Sequence, residues 1–344
     1  MEDPEKGKNG VHVAFCLKEV GPSHPTQGTI GSSNKVEDET EAILNRKIQS
    51  VFRHARDRTG TNPKKMEQLG INFLDMSDEE RVKLSNKTDE RGNTALHYAA
   101  KTGNLQVCQQ LYNNGKGADI NARGQNKMTP LEFASRYGDE KCPESVWECM
   151  KWIMEVYKTK KDIRKDRKDG AFDILEKDKY DFNILHHAIQ NSNWEAKPIV
   201  AKNLIQYDKG IFKITDLDKQ GNNCLHLAAQ FDTAEDHKIL DIFLDNQFIK
   251  KKDLVTCITT KNNLGKTPLH VACSVGNIDS LNALLNLGKK HKSEIDIKEI
   301  INMADIDGYR LLDHAIESEN LLMVDILIKE NAEVTDEAIF CSAR

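Results

Sequence analysis

One short phrase returns six times along this chain, and it leaves very few folds open. It reads Thr94-Ala95-Leu96-His97-Tyr98-Ala99, then Thr129-Pro130-Leu131-Glu132-Phe133-Ala134 and Asn183-Ile184-Leu185-His186-His187-Ala188. It continues as Asn223-Cys224-Leu225-His226-Leu227-Ala228, Thr267-Pro268-Leu269-His270-Val271-Ala272 and Arg310-Leu311-Leu312-Asp313-His314-Ala315. Its leucine stands at 96, 131, 185, 225, 269 and 312, at successive intervals of 35, 54, 40, 44 and 43 residues. A unit this small cannot bury its own apolar face, so neighbouring units must stack.

The phrase is built to open a helix. Thr or Asn caps the free N–H groups of the first turn. Pro at the next position loses nothing, because its missing N–H has no partner there anyway. Before the phrase comes a turn, Asp/Asn-x-x-Gly: Asp89 and Gly92, Asp218 and Gly221, Asn262 and Gly265, Asp305 and Gly308. The acidic or amide side chain bonds its own backbone, and Gly accepts positive φ. The third copy carries Asp178 and Asp181, the second Gly124 and Lys127. After the phrase, Gly103-Asn104, Gly276-Asn277 and Asn320 lead into stripes at helical spacing, such as Ile278, Leu281, Leu284 and Leu285. Each unit therefore reads as a turn and two antiparallel helices.

These residues resemble the ankyrin family, whose repeat runs about 33 residues. The resemblance implies an all-α solenoid of helix-turn-helix repeats joined by β-turn or hairpin loops. The intervals imply insertions in most units. Glu132 and Asp313 stand where the family has histidine, and Arg310 cannot cap as Thr does, so the second, third and sixth repeats are expected to be irregular. Residues 1–40, polar and aperiodic, are predicted to form a disordered tail. Residues 41–88 carry Ile43, Leu44, Ile48, Val51 and Phe52, then Leu69, Ile71, Phe73, Leu74 and Val82, and read as a helical lead-in or degenerate capping repeat. Residues 89–344 hold the array. Ala338 to Ala343 read as the start of a seventh phrase, expected to fray and to mark a product of a longer protein.

The net charge of −5 points away from nucleic acid, and no apolar run reaches the roughly 18 residues of a membrane span. The charged N-terminus has no apolar core like that of a secretory signal. Eight scattered cysteines, none in a C-x-x-C pair, read as free thiols. Cys142 and Cys149, seven apart around Trp147, read as buried and inert or, alternatively, as a redox-sensitive pair. No phosphate loop, nucleophile elbow or zinc motif occurs, so no catalytic, metal or cofactor residue is assigned.

His97, His186, His226 and His270 recur one per repeat, too far apart to share a metal. The family resemblance implies structural hydrogen bonding for them, alongside Leu96, Leu131, Leu185, Leu225, Leu269 and Leu312. The basic stretch Lys160, Lys161, Arg164, Lys165, Arg167 and Lys168 reads as a solvated insertion or as a contact for an acidic partner or lipid headgroup. Lys250-Lys251-Lys252 and Lys289-Lys290-His291-Lys292 are expected to lie in long loops.

The expected function is non-catalytic binding of protein partners of unknown identity, in the cytoplasm. The stretched repeats and the lead-in Ile301-Asn302-Met303-Ala304-Asp305-Ile306-Asp307-Gly308 also resemble those of TRPA-type (transient receptor potential) cation channels. That resemblance implies a pore-less regulatory or assembly portion at the cytoplasmic face of the plasma membrane, with full-length channel subunits as partners. The alternative is a free-standing soluble adaptor or scaffold.

Overall fold

A computed structural model describes residues 46–56, 77–163, 177–207 and 212–334, apart from positions 47, 54, 114–115, 140, 192–195, 232–238 and 245–248. All of them fall within one compact unit, residues 44–344. The polar tail and the half-phrase at 338–343 lie outside the described residues, as does the whole stretch from Met66 to Leu74.

The chain enters through a helical segment described at residues 46, 48–53 and 55, which buries Ile48, Val51, Phe52 and Ala55, and through α1 (Asp78–Ser85). Ser77 caps α1, and Glu80 bonds back to the Ser77 backbone, so the helix starts with a reciprocal box. Six helical pairs follow. The first pair is α2 (Ala95–Lys101) and α3 (Leu105–Tyr112); the second is α4 (Pro130–Tyr137) and α5 (Pro143–Ile163). The third is α6 (Ile184–Ile189) and α7 (Ala196–Tyr207); the fourth is α8 (Cys224–Phe231) and α9 (Ile239–Leu244). A single helix, α10 (Lys251–Thr259), precedes the fifth pair, α11 (Pro268–Ser274) and α12 (Ile278–Lys290). Another, α13 (Ile297–Asn302), precedes the last, α14 (Leu311–Glu317) and α15 (Leu321–Lys329). Among the described residues there is no β-strand, only a bridge between Thr88 and Thr94.

The pairs stack in two rows. The first helices pack in chain order, α2 on α4, then α6, α8, α11 and α14; the second helices follow, α3 on α5, then α7, α9, α12 and α15. The six phrase leucines are all at most 2% exposed and sit between the rows. The chain is therefore an all-α repeat solenoid. Gly103 shows why the turn between paired helices needs glycine: its φ is +72°, and a Cβ there would stand 2.7 Å from the Val146 backbone nitrogen of the next repeat.

One inserted helix and the end of a repeat helix correct the reading of the lysine runs as loops. Lys250 is the N-cap of α10, and Lys251 and Lys252 lie within it; Lys289 and Lys290 end α12. Leu254, Cys257 and Ile258 form a buried i, i+3, i+4 stripe that packs α10 against α8, α11 and α12. Asp296 caps α13 by accepting from the Lys298 and Glu299 amides, and Ile300 and Ile301 bury its inner face. Extra apolar stripes, present in the insertions, made helices of them.

Candidate functional site

The turns that precede the first helices form a row held by its own backbone. In each repeat the residue at the start of the turn receives the N–H of the fourth residue, and its own N–H reaches the carbonyl of the fifth. Examples are Gly265 N to Asn262 O at 2.8 Å and Asn262 N to Lys266 O at 2.9 Å. The carboxylates of Asp89, Asp178, Asp218 and Asp305 and the Asn262 amide oxygen each accept two further amides, as Asp218 Oδ1 does from Gln220 and Asn222, both at 2.8 Å. The fourth position is left-handed in every copy: Gly92, Lys127, Asp181, Gly221, Gly265 and Gly308. Thus the third turn keeps the geometry without the glycine, at the cost of a side chain in a strained region, whereas the second departs from it: Asn126, its third residue, is left-handed as well, with φ 57°.

Neighbouring turns are also bonded to one another. Lys179 N donates to Asn126 O at 3.0 Å, Lys219 N to Tyr180 O at 3.0 Å, Asn263 N to Gln220 O at 2.9 Å and Ile306 N to Leu264 O at 3.1 Å. Between the first two turns the Asn93 side chain takes this role, accepting from Gln125 N at 2.9 Å.

The recurrent histidines connect each first helix to the following repeat. His97 Nδ1 accepts from Thr94 N at 3.1 Å, and Nε2 meets Met128 O at 3.1 Å. His186 does the same with Asn183 N and Asp216 O, His226 with Asn223 N and Lys266 O, and His270 with Thr267 N and Met303 O. A ring that accepts at Nδ1 and meets a carbonyl at Nε2 is the neutral Nε2–H tautomer. Burial lowers the pKa of His97, His226 and His270 to about 4 and of His186 to about 3.

In the second and sixth repeats a carboxylate fills the local half of this role. Glu132 Oε2 accepts from Thr129 N at 2.7 Å, and Asp313 Oδ2 from Arg310 N at 2.7 Å. Both helices still start in register, although Arg310 supplies no side-chain cap. An ionised carboxylate cannot donate onward to the next repeat. Glu132 instead meets Arg123 Nη1 at 3.5 Å, and its burial raises its pKa to about 7.

A second bond within the repeat had no counterpart in the sequence reading. The residue after the motif histidine reaches back nine positions to the turn aspartate: Tyr98 OH to Asp89 at 2.6 Å, and His314 Nε2 to Asp305 at 2.9 Å. His187 Nε2 stands at the same place, 3.5 Å from Asp178, but makes no hydrogen bond. The signal was there as a Tyr or His nine residues after the Asp. Leu227 and Val271 interrupt it, and there Asn222 and Asn262 form the polar links instead.

Of the basic stretch, Lys160 and Lys161 stand in the last turns of α5, while Arg164, Lys165, Arg167 and Lys168 lie outside the described residues. Cys142 does not pair with Cys149: its thiol donates to Thr102 O at 3.5 Å, whereas Cys149 Sγ lies 4.0 Å from Cys108 Sγ. Among the described residues no cluster of His, Cys, Asp and Glu could hold a metal ion, and no helix is long and apolar enough to cross a membrane.

The row of turns and the exposed ends of the first helices enclose a groove of about 360 Å³ in the fourth and fifth repeats. Gln220 and Asn263 stand on the turns, Gln230 on α8, and Val271 and Val275 at the floor and end of α11. Leu264, 52% exposed, overhangs it from the fifth turn.

A stack of turn-and-helix-pair units with an open face of this kind defines an ankyrin-repeat protein. The family model for ankyrin repeats (three copies) matches residues 71–155 and 247–338, just over half of the chain, and the chain belongs to that family. It is similar to inversin of Mus musculus and of Canis lupus familiaris, 28% identical over 200 residues, and to human inversin at 27%. The matched segment is 58% of this chain but only 15–16% of the length of those relatives. These relatives are inversins, so the expectation of a transient receptor potential channel draws no support from them. Among solved structures, a chain from the Bd0816 predatory endopeptidase of Bdellovibrio bacteriovorus in complex with immunity protein Bd3460 is 22% identical. It covers 71% of this chain and all of that one, with a TM-score of 0.47.

Proposed function

We propose that the chain is a non-catalytic, cytoplasmic adaptor that binds a protein partner in the groove of the fourth and fifth repeats. One observation carries the reading: the groove joins an apolar floor to a rim of side-chain amides on a bonded, pre-ordered scaffold. Apolar floor gives affinity, and a few placed polar groups give orientation. A scaffold that does not move on binding spends little of its contact energy on ordering. The histidines serve this function indirectly, by holding each turn to the next helix. The adaptor reading also fits the inversin relatives better than the channel reading does.

The test is affinity capture from cytosolic extract with the intact chain and with a Val275→Glu, Leu264→Glu double variant, both sites being exposed. Partners retained by the intact chain and lost by the variant support the reading. Retention of every partner by the variant overturns it.

A further inference from the structure

The exposed edge of the turn row has a composition unlike that of the chain as a whole. The net charge is −5, yet the third to fifth repeats present Lys177, Lys179, Lys219, Lys261 and Lys266 along this edge. Three of these ammonium groups are pinned to carbonyls of a neighbouring repeat: Lys177 Nζ to Leu217 O at 3.0 Å, Lys219 Nζ to Lys179 O at 2.5 Å, and Lys261 Nζ to Ala304 O at 3.0 Å. An ammonium has three donors, so each pinned one keeps N–H groups for a visitor while its side chain is already ordered. The buried carboxylates of Asp178, Asp218 and Asp305 accept backbone amides, so they are held by the turns and not by these ammonium groups. Of the remaining acids here, Asp216 accepts from Asn183 Nδ2, Asp181 is half-buried and Asp307 is exposed.

Large apolar side chains alternate with these lysines. Tyr180 is 42% exposed, Leu217 41%, Leu264 52% and Ile306 64%. They stand one to a turn or just before it, on the backbone ladder that joins Lys219 N to Tyr180 O and Ile306 N to Leu264 O. A plain polyanion needs only the lysines. A lipid surface needs apolar groups that project together, and here they are spaced singly between charges.

We infer that the turn row of the third to sixth repeats is a docking stripe for an acidic protein segment, one that alternates carboxylates with apolar side chains. This rests on the reading of the turn-and-groove face as the binding face, and names the chemistry of its partner. Carboxylates meet the pinned ammonium groups, and the apolar side chains between them cover Tyr180, Leu264 and Ile306. The charges also speed encounter, so binding weakens as salt rises.

The test uses the full chain and a fluorescein-labelled synthetic peptide of alternating glutamate and leucine, followed by anisotropy. Binding is expected to weaken at least about tenfold in a Lys179→Glu, Lys219→Glu, Lys261→Glu variant, and about as much in a Leu264→Ser, Ile306→Ser variant. Lys329→Glu, on α15, leaves it unchanged. If the triple variant fails to fold, Lys219→Gln with Lys261→Gln replaces it, with a smaller loss expected. Equal binding of a glutamate–serine or a lysine–leucine peptide overturns the inference. So does oligothymidylate or a phosphatidylserine vesicle that binds through the same lysines without needing Leu264 or Ile306. Should captured partners depend on Val275 and Leu264 but not on these lysines, the adaptor function stands and the acidic-partner inference falls.

Discussion

The second and fifth repeats do the same structural work with different chemistry at one position. In the fifth, neutral His270 accepts from its own N-cap and bonds the next repeat at Met303 O. In the second, Glu132 accepts from its N-cap but turns its charge toward Arg123. The third repeat is held to the second by other means: Ser135 Oγ donates to Ile184 O at 3.0 Å and Asn191 Nδ2 to Ser135 O at 2.8 Å. The comparison separates two tasks that the histidine combines. Opening a helix needs any acceptor at the third helical position; joining repeats needs a donor on the far side of the same ring.

Acidification should produce the largest divergence. The four buried histidines titrate near 6.5 when unfolded and at about 3 to 4 when folded. Between those values the unfolded chain binds more protons, so stability falls as pH drops from about 6.5 towards 4, by about 1.4 kcal/mol per pH unit per site. Glu132 has the opposite sign. Its folded pKa is raised to about 7, so its contribution is present at low pH and lost as pH rises from 4.5 to 7. Thermal melts from pH 4 to 8 should therefore show a net loss on the acid side, and a flat profile would contradict the neutral-histidine assignment.

Next in size is His270→Ala. It strands Thr267 N and Met303 O and leaves a cavity, costing about 3 kcal/mol in urea denaturation. Gly265→Ala tests the turn that supports the same repeat. Its φ of +70° and the 2.9 Å approach of a Cβ to Ile306 N disrupt the turn ladder, for a cost of about 2 kcal/mol. Smallest is Glu132→Gln. The amide oxygen still accepts from Thr129 N while the buried charge disappears, so above pH 7 the variant should gain about 1 kcal/mol. A loss at that pH would show that the Arg123 pair outweighs the burial of the charge.

The sequence made the stack legible because its six leucines share one job, and burial at every copy enforces one residue type. It also made the turn aspartates legible, since a side chain that bonds its own backbone leaves a local pattern. The expected irregularity at the third and sixth repeats concerned residues that differ while their turns keep the common backbone; in the second the backbone differs too, Asn126 adding a second left-handed residue to the turn. Asp181 holds the left-handed position that glycine holds elsewhere, and Glu132 and Asp313 reproduce the local hydrogen bond. Helices α10 and α13 were hidden behind lysines, although Leu254, Cys257 and Ile258 carried the helical period. The groove and the basic edge were not legible at all. They join residues about 40 positions apart, and no local pattern marks them.

The turn-to-turn ladder also explains how copies separated by 35 to 54 residues can share one geometry. Register between units is fixed where one turn's amide meets the previous turn's carbonyl, and not by the length of polypeptide running between them. Spacer length is therefore a free variable: extra segments, such as those that became α10 and α13, can be spliced in on the far side without altering the pitch at which the edge meets a visitor.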